Sequence, residues 1–151
     1  MTRSEKAILT NMCMIYDDDG NILVQDRLSS NWPGITFPGG HVDKKESFSK
    51  SVIREVYEET GLTISEPILC GVKQFQTKSD ERYIVLFYKT NRFKGELTSS
   101  EEGKVFWIER ENVHHYKLAN DFEKMLEVFE SETLSEFYYD QEGEDWEVKL
   151  Y

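Results

Sequence analysis

Cysteine is scarce here: Cys13 and Cys70 are the only two among 151 residues, and each sits beside apolar neighbours. Two such residues read as reduced, buried thiols rather than a disulfide framework, and they do not make a metal site. Long apolar runs are also missing. The longest falls well short of the roughly 20 residues that span a bilayer. No early stretch has the form of a signal peptide, so the cytoplasm is the expected compartment and no membrane association is expected. Positive charge is the third shortage, with 18 Lys and Arg against 29 Asp and Glu, a net charge of −11. A field of that sign opposes double-stranded nucleic acid, and no basic stripe overrides it. It also repels a polyphosphate, so nucleotide chemistry would need a metal and a few well-placed cations. No internal repeat and no Ser-His-Asp or Cys-His arrangement is visible. His41 follows a glycine turn and His114-His115 sits in an apparent loop, so each reads as structural or exposed.

What remains is enough for one domain with a sizeable core, residues 1–151. Residues 7–16 and 22–27 are apolar, and Asp17-Asp18-Asp19-Gly20-Asn21 between them predicts a hairpin turn. Residues 28–34 read as loop and 35–37 as a short strand. Further strands are expected at 64–70, at 72–76, at 83–89 (an interior strand, from its continuous apolar and aromatic character) and at 105–108. Residues 120–130 carry Phe122, Met125, Leu126 and Phe129 at the spacing of a helix packed on a sheet. The acidic extension at about 132–151 holds Leu134, Phe137, Tyr138, Tyr139 and Trp146, too aromatic for a disordered tail. It is expected to pack against the domain or a partner subunit. The plan is α/β, with a mixed sheet.

The most informative stretch is residues 40–62, GHVDKKESFSKSVIREVYEETGL. Residues 47–60 favour helix, lack Pro and Gly, and end at Gly61, a natural stop. On such a helix Glu55, Glu58 and Glu59 project to one side, next to an apolar stripe of Val52, Val56 and Ile53. Three carboxylates so close repel one another unless something positive lies among them. A hard divalent cation with oxygen ligands is the natural partner, and Mg²⁺ also binds substrate phosphates.

Gly40, Glu46, Arg54-Glu55, Glu58-Glu59 and Gly61 stand in a register that resembles the Nudix box at every defining position. The resemblance implies an α/β/α sandwich over about residues 6–129, and hydrolysis of a nucleoside diphosphate joined to another moiety with Mg²⁺ or Mn²⁺. It also implies that the Gly39 carbonyl, beside Gly40, adds a metal ligand, and that Glu46 and Arg54 support the loop and helix as a charged pair. In the family the base is a box glutamate or one from a later loop. Here Glu101 and Glu102 are the later candidates, with Glu102 preferred.

Trp32-Pro33-Gly34, Phe37-Pro38-Gly39-Gly40 and Leu118-Ala119-Asn120-Asp121 resemble the MutT-type branch. Its members convert nucleoside triphosphates to monophosphate and pyrophosphate, some preferring oxidised guanine. The resemblance places Asn120 at the base edge, where an amide both donates and accepts. The residues alone also allow Asn120 as a helix cap with Glu123 three positions on. Phe75 or Tyr83 would stack on a base or pack in the core, and Arg27 and Lys73 would approach phosphates. Alternatives of other classes are a Nudix hydrolase for a nucleotide sugar or dinucleoside polyphosphate, and a non-enzymatic nucleotide-binding or regulatory module. The expected partner is a small nucleotide rather than a nucleic acid, and the chain is expected to be a monomer or homodimer.

Overall fold

The computed structural model describes residues 2–141 and 145–151. Met1 and residues 142–144, the latter part of the acidic extension, lie outside them. Among the described residues, ten strands and two α-helices follow the order β1 (Ala7–Ile15), β2 (Asn21–Arg27), β3 (Gly34–Thr36), α1 (Phe48–Thr60), β4 (Thr63–Ile64), β5 (Ile68–Gln76), β6 (Arg82–Thr90), β7 (Phe93–Lys94), β8 (Gly103–Glu109), α2 (Phe122–Glu130), β9 (Glu136–Asp140) and β10 (Glu147–Leu150). A mixed sheet runs β1-β6-β5-β9-β10, a second sheet runs β3-β2-β8, and β4 pairs with β7. Among the described residues, no helix is long and apolar enough to cross a membrane.

Strand periodicity divides the core into two layers. Met12 and Met14 of β1, Val85 and Phe87 of β6, and Ile22 and Val24 of β2 face α2, where Phe122, Met125 and Phe129 meet them. The intervening Cys13, Ile15, Leu86, Tyr88 and Leu23 face α1 and pack on Val52 and Val56. The result is the expected α/β/α sandwich. Val52 and Val56 are completely buried, each worth about 1.5–3 kcal/mol of transfer free energy. Ser47 caps α1 by accepting from the Lys50 amide, and Gly61 ends it in the left-handed conformation at φ 77°. Both Cys13 and Cys70 are free thiols.

Three local expectations are corrected. The turn at residues 17–21 forms, with the Asp17 carboxylate accepting from Asp19 and Asn21, but β1 and β2 do not continue as a hairpin. Their segments are joined by the Tyr16–Ile22 bridge just past β1 and by the Asp17 N–H to the Asn21 carbonyl; β1 itself pairs in parallel with β6, and β2 joins β3 and β8. A strand buried on both faces, as most of β1 is, gains more from the sheet interior than from a two-stranded ribbon. The second correction is at residues 64–70, which are not one strand. Ile64 closes β4, and β5 runs unbroken from Ile68 past Gly71, where a register shift marks a bulge. A Cβ on Gly71 would lie 2.6 Å from the Val128 side chain and 2.9 Å from the Ser135 carbonyl, so this glycine admits a close neighbour rather than ending a strand. The third concerns the cap of α2: Asp121 takes the cap position at φ 64° without a side-chain cap bond, so Asn120 does not cap this helix.

The extension folds back onto its own domain. β9 adds in parallel to β5 through Val72–Glu136, Lys73–Phe137 and Gln74–Tyr138, and β10 pairs antiparallel with β9. Phe137 is fully buried.

Candidate active site

The glycine turn before α1 is laced to β1. Asn11 and Cys13 donate backbone N–H bonds to the carbonyls of Gly40 and Pro38, and the Asn11 side chain accepts from the Gly40 amide at 3.1 Å while donating to Ser51 at 3.0 Å. Pro38 and Gly40 thus spend their carbonyls on the strand, and the carbonyl of Gly39 between them takes part in neither bond. Both glycines are required by proximity. A Cβ on Gly39 would sit 2.1 Å from the Asn11 carbonyl oxygen, and one on Gly40 would sit 2.2 Å from Glu55 Oε2. The turn, the helix and the Glu55 carboxylate are therefore held within contact distance of one another.

Arg54 occupies the middle of the charged group. Its guanidinium grips Glu46 at two points, Nε to Oε2 at 2.8 Å and Nη2 to Oε1 at 3.0 Å, the fork geometry suited to arginine. Nη1 donates to Glu55 at 2.9 Å and to both Glu58 oxygens at 3.1 and 3.2 Å, and Nη2 also donates to the His41 carbonyl. The ion pair holds the Glu46 carboxyl down at about 2 and raises the Arg54 guanidinium further above its ordinary value. Glu55 shifts upward, chiefly through burial, with Arg54 opposing.

Glu59 differs from its neighbours. It is 6% exposed, and Oε2 accepts from the Gly39 amide at 3.0 Å and the Gln25 amide side chain at 3.3 Å. Its hydrogen-bond donors are neutral. Burial therefore lifts it to about 7, with the Gly39 N–H opposing and the charges of Glu55 and Glu102 adding to the rise. A buried carboxylate held only by neutral donors and facing other carboxylates fits a bound cation.

Glu55, Glu58, Glu59, Ser100, Glu101 and Glu102 line one open cavity of about 270 Å³. The helix carboxylates and the later-loop pair anticipated from the sequence thus share one space. Among the described residues no three carboxylates form a ready-made metal cage, in keeping with Glu55 and Glu58 being turned to Arg54. The donor set still suits a hard cation: all oxygen, mostly anionic, with Gly39 beside it. A larger cavity, about 650 Å³, is lined by Asp19, Gly20, Glu109, Arg110, Glu111 and Glu130. The Arg110–Glu130 ion pair at 2.6 Å already neutralises part of it, and none of the box residues reaches it.

The other candidates form a second group. Arg27 donates to the Trp32 carbonyl and lies 5.5 Å from the Trp32 ring centre, close enough for its charge to act on Glu59. Phe75 stacks on Tyr83 at 5.2 Å with ring planes 12° apart. Asn120 is exposed, and its carbonyl accepts from the Trp32 indole at 3.2 Å. Lys73, the other cation expected near phosphates, lies on β5. Alternation along β5 points it with Phe75 toward α2, while the carboxylates belong to the α1 side, and its ammonium lies among rings instead.

Sequence reasoning missed Asn11, Gln25, Asp121 and Tyr139. For Asn11 and Gln25 the signal was available: each is a polar residue next to an apolar one in its strand, and each is at least 97% buried. Such groups need hydrogen-bond partners, here the glycine turn and Glu59. His41 is exposed, as are His114 and His115.

The NUDIX domain family model matches residues 8–129. The chain is 31% identical over 112 residues to an uncharacterized Nudix hydrolase of Bacillus subtilis, covering 71% of this chain and 69% of the relative. It is 28% identical over 118 residues to an ADP-ribose pyrophosphatase of Methanocaldococcus jannaschii, covering 76% of this chain and 69% of the relative. Among solved structures, a mutator MutT protein from Bacillus halodurans superposes with a TM-score of 0.75 at 24% identity, covering 95% of this chain and 97% of that one.

Proposed function

The chain belongs to the Nudix family, and from that premise we propose that it hydrolyses a nucleoside triphosphate to monophosphate and pyrophosphate, with Mg²⁺ or Mn²⁺ as cofactor. The family membership carries Nudix-type hydrolysis of a nucleotide and general use of a divalent metal. The observation that carries the rest is the single cavity in which Glu55, Glu58 and Glu59 meet Glu101 and Glu102. Glu55, Glu58, Glu59 and the Gly39 carbonyl would hold the metal. Bound there, it would screen phosphate oxygens and lower the pKa of water.

The protein's residues supply the remainder. Glu102 is our preferred acceptor for the water proton. Arg54, clamped by Glu46, positions Glu55 and Glu58. Arg27 lies toward the phosphates, while Asn120, Phe75 and Tyr83 border the base. The absence of an activated nucleophile favours direct attack of water on a bridging phosphoryl group. An oxidised guanine nucleotide such as 8-oxo-dGTP, as in nucleotide-pool sanitation, is the most attractive substrate of this class. The reading carries with it a small-molecule partner, no stable nucleic-acid complex and no membrane, and a monomer or homodimer in the cytoplasm.

The ADP-ribose pyrophosphatase among the relatives favours a second reading, hydrolysis of a nucleotide sugar or dinucleoside polyphosphate. A non-enzymatic nucleotide-binding or regulatory module has less in its favour, because binding alone does not require so many carboxylates. A substrate panel in ¹⁸O-labelled water, with and without chelator, tests the proposal. Turnover should stop on chelation, products should be monophosphate and pyrophosphate, and Glu58→Gln should lower kcat roughly a hundredfold or more with little loss of binding. Metal-free turnover, stepwise release of inorganic phosphate or a trapped phospho-enzyme would overturn it.

A further inference from the structure

Two donors hold Glu59, and both meet the same oxygen. The Gly39 amide reaches Oε2 at 3.0 Å and the Gln25 side-chain amide reaches it at 3.3 Å. Among the described residues no donor reaches Oε1, and no buried side-chain oxygen is left without a partner. Oε1 is therefore open to the cavity that Glu59 lines with Glu55, Glu58 and Glu102. One oxygen is tied to the scaffold, and the other faces the space where a cation would sit.

Gln25 is placed by the sheet. It lies on β2, the middle strand of the second sheet, between Thr36 of β3 and Val105 of β8. Alternation from Leu23 turns it toward α1, and it is 1% exposed. Leu23 and Val105 on this face belong to the apolar cluster under α1, where an amide is costly unless it finds a partner. The Gly103 backbone closes against its stem, since a Cβ there would lie 3.3 Å from Gln25 Cγ. The donor is thus supported by packed backbone and held in place without a ligand.

Charge explains why this residue is an amide. Arg27, two positions on and facing the same side, donates to the Trp32 carbonyl and makes no hydrogen bond to Glu59. A cation at hydrogen-bond distance would neutralise Glu59 and stand where a metal charge is needed. A neutral donor orients the carboxylate and leaves its charge to the metal. Resting on the metal-dependent reading above, we propose that Gln25 is a positioning residue of the hydrolytic site. It fixes Glu59 through Oε2, so that Oε1 is the oxygen offered to the divalent cation.

The test measures Mn²⁺ binding to the metal-free protein by calorimetry, alongside kcat and KM for dGTP with Mn²⁺ present. Gln25→Met keeps length and bulk but loses the donor, whereas Gln25→Lys keeps a donor and adds charge. Gln25→Met should bind Mn²⁺ roughly ten- to a hundredfold more weakly than wild type, the usual effect of losing a hydrogen bond behind a metal ligand. Its kcat should fall with KM changed by less than about twofold. Gln25→Lys should bind Mn²⁺ at least as weakly as Gln25→Met. Thermal melts without metal show whether each variant folds. Mn²⁺ affinity within about threefold of wild type in either folded variant overturns the proposal, as does a Gln25→Met defect confined to KM. Wild-type protein that takes up no Mn²⁺ overturns the metal-dependent reading and this inference together; wild-type uptake with an unaffected Gln25→Met overturns this inference alone.

Discussion

Replacing Lys73 by methionine should make the protein more stable. The lysine pKa falls from 10.5 to about 8 on burial, a drop that corresponds to roughly 3 kcal/mol at ~1.36 kcal/mol per pH unit. Because the residue is only 8% exposed, solvent screening removes little of this. The sign follows from proton counting. Below pH 8 both folded and unfolded chains hold the proton, and the folded state bears the full cost of the buried charge. Between about pH 8 and 10.5 the folded chain releases its proton while the unfolded chain keeps it, so stability rises with pH across that window. Surrounding rings return part of the cost, ~0.5–2 kcal/mol for an ammonium over an aromatic face. Methionine has similar length and removes the charge without opening a large void. Lys73→Met should therefore gain about 1–3 kcal/mol at pH 7, and that gain should shrink between pH 8 and 10.5. Urea unfolding of both proteins at several pH values isolates the effect, because other titrating groups are common to both. A variant less stable than wild type at pH 7, with a difference independent of pH, would refute the reasoning.

The glycine turn allows a sharp contrast. Gly39→Ala drives a Cβ to 2.1 Å from a backbone oxygen of Asn11, which cannot yield without disturbing β1; it should cost about 2 kcal/mol or more and lower Tm by ~4–8 °C. Gly40→Ala meets the end of a flexible side chain, Glu55, at 2.2 Å, so it should keep most stability and lose activity; equal melting losses in the two would contradict the geometry. Asn120→Ala should leave Tm within ~2 °C, because Asp121 and not Asn120 holds the cap position of α2. Its effect should instead appear as a five- to hundredfold fall in kcat/KM for the preferred purine nucleotide, the worth of ~1–3 kcal/mol for one matched polar contact; a uniform loss over all substrates would remove it from the base site.

The box helix was legible because everything that makes it is local. Ser47 and Gly61 cap it, Val52 and Val56 set its buried face, and the i, i+3 and i, i+4 spacing of the glutamates sets the other. The α/β plan was legible from apolar strand segments set among two amphipathic helix patterns, while the α/β/α sandwich followed from the resemblance carried by the box. The partners of β1 and β2 were not legible. An Asp-rich turn specifies a reversal of the chain, but not whether the strands that follow stay together. That choice was made by β6 and β8, far along the chain, which bury more of β1 and β2 than either strand could bury in the other. Gly71 misled in the same way, since its reason for being glycine is the approach of α2 and residue 135.

Lys73 shows where sequence reading reaches its limit and why. On paper a lysine in an acidic chain belongs with phosphates, and nothing within ten residues says otherwise. What encloses it comes from Trp32 before α1, Met125 on α2, and Phe137 and Tyr139 on a strand that adds to β5 only after the chain has completed both helices. The tail's aromatic content indicated that it packs somewhere; the parallel register that sets Phe137 opposite Lys73 is a property of the finished sheet. The extension thus adds two rings to the enclosure of Lys73, whose pKa burial lowers.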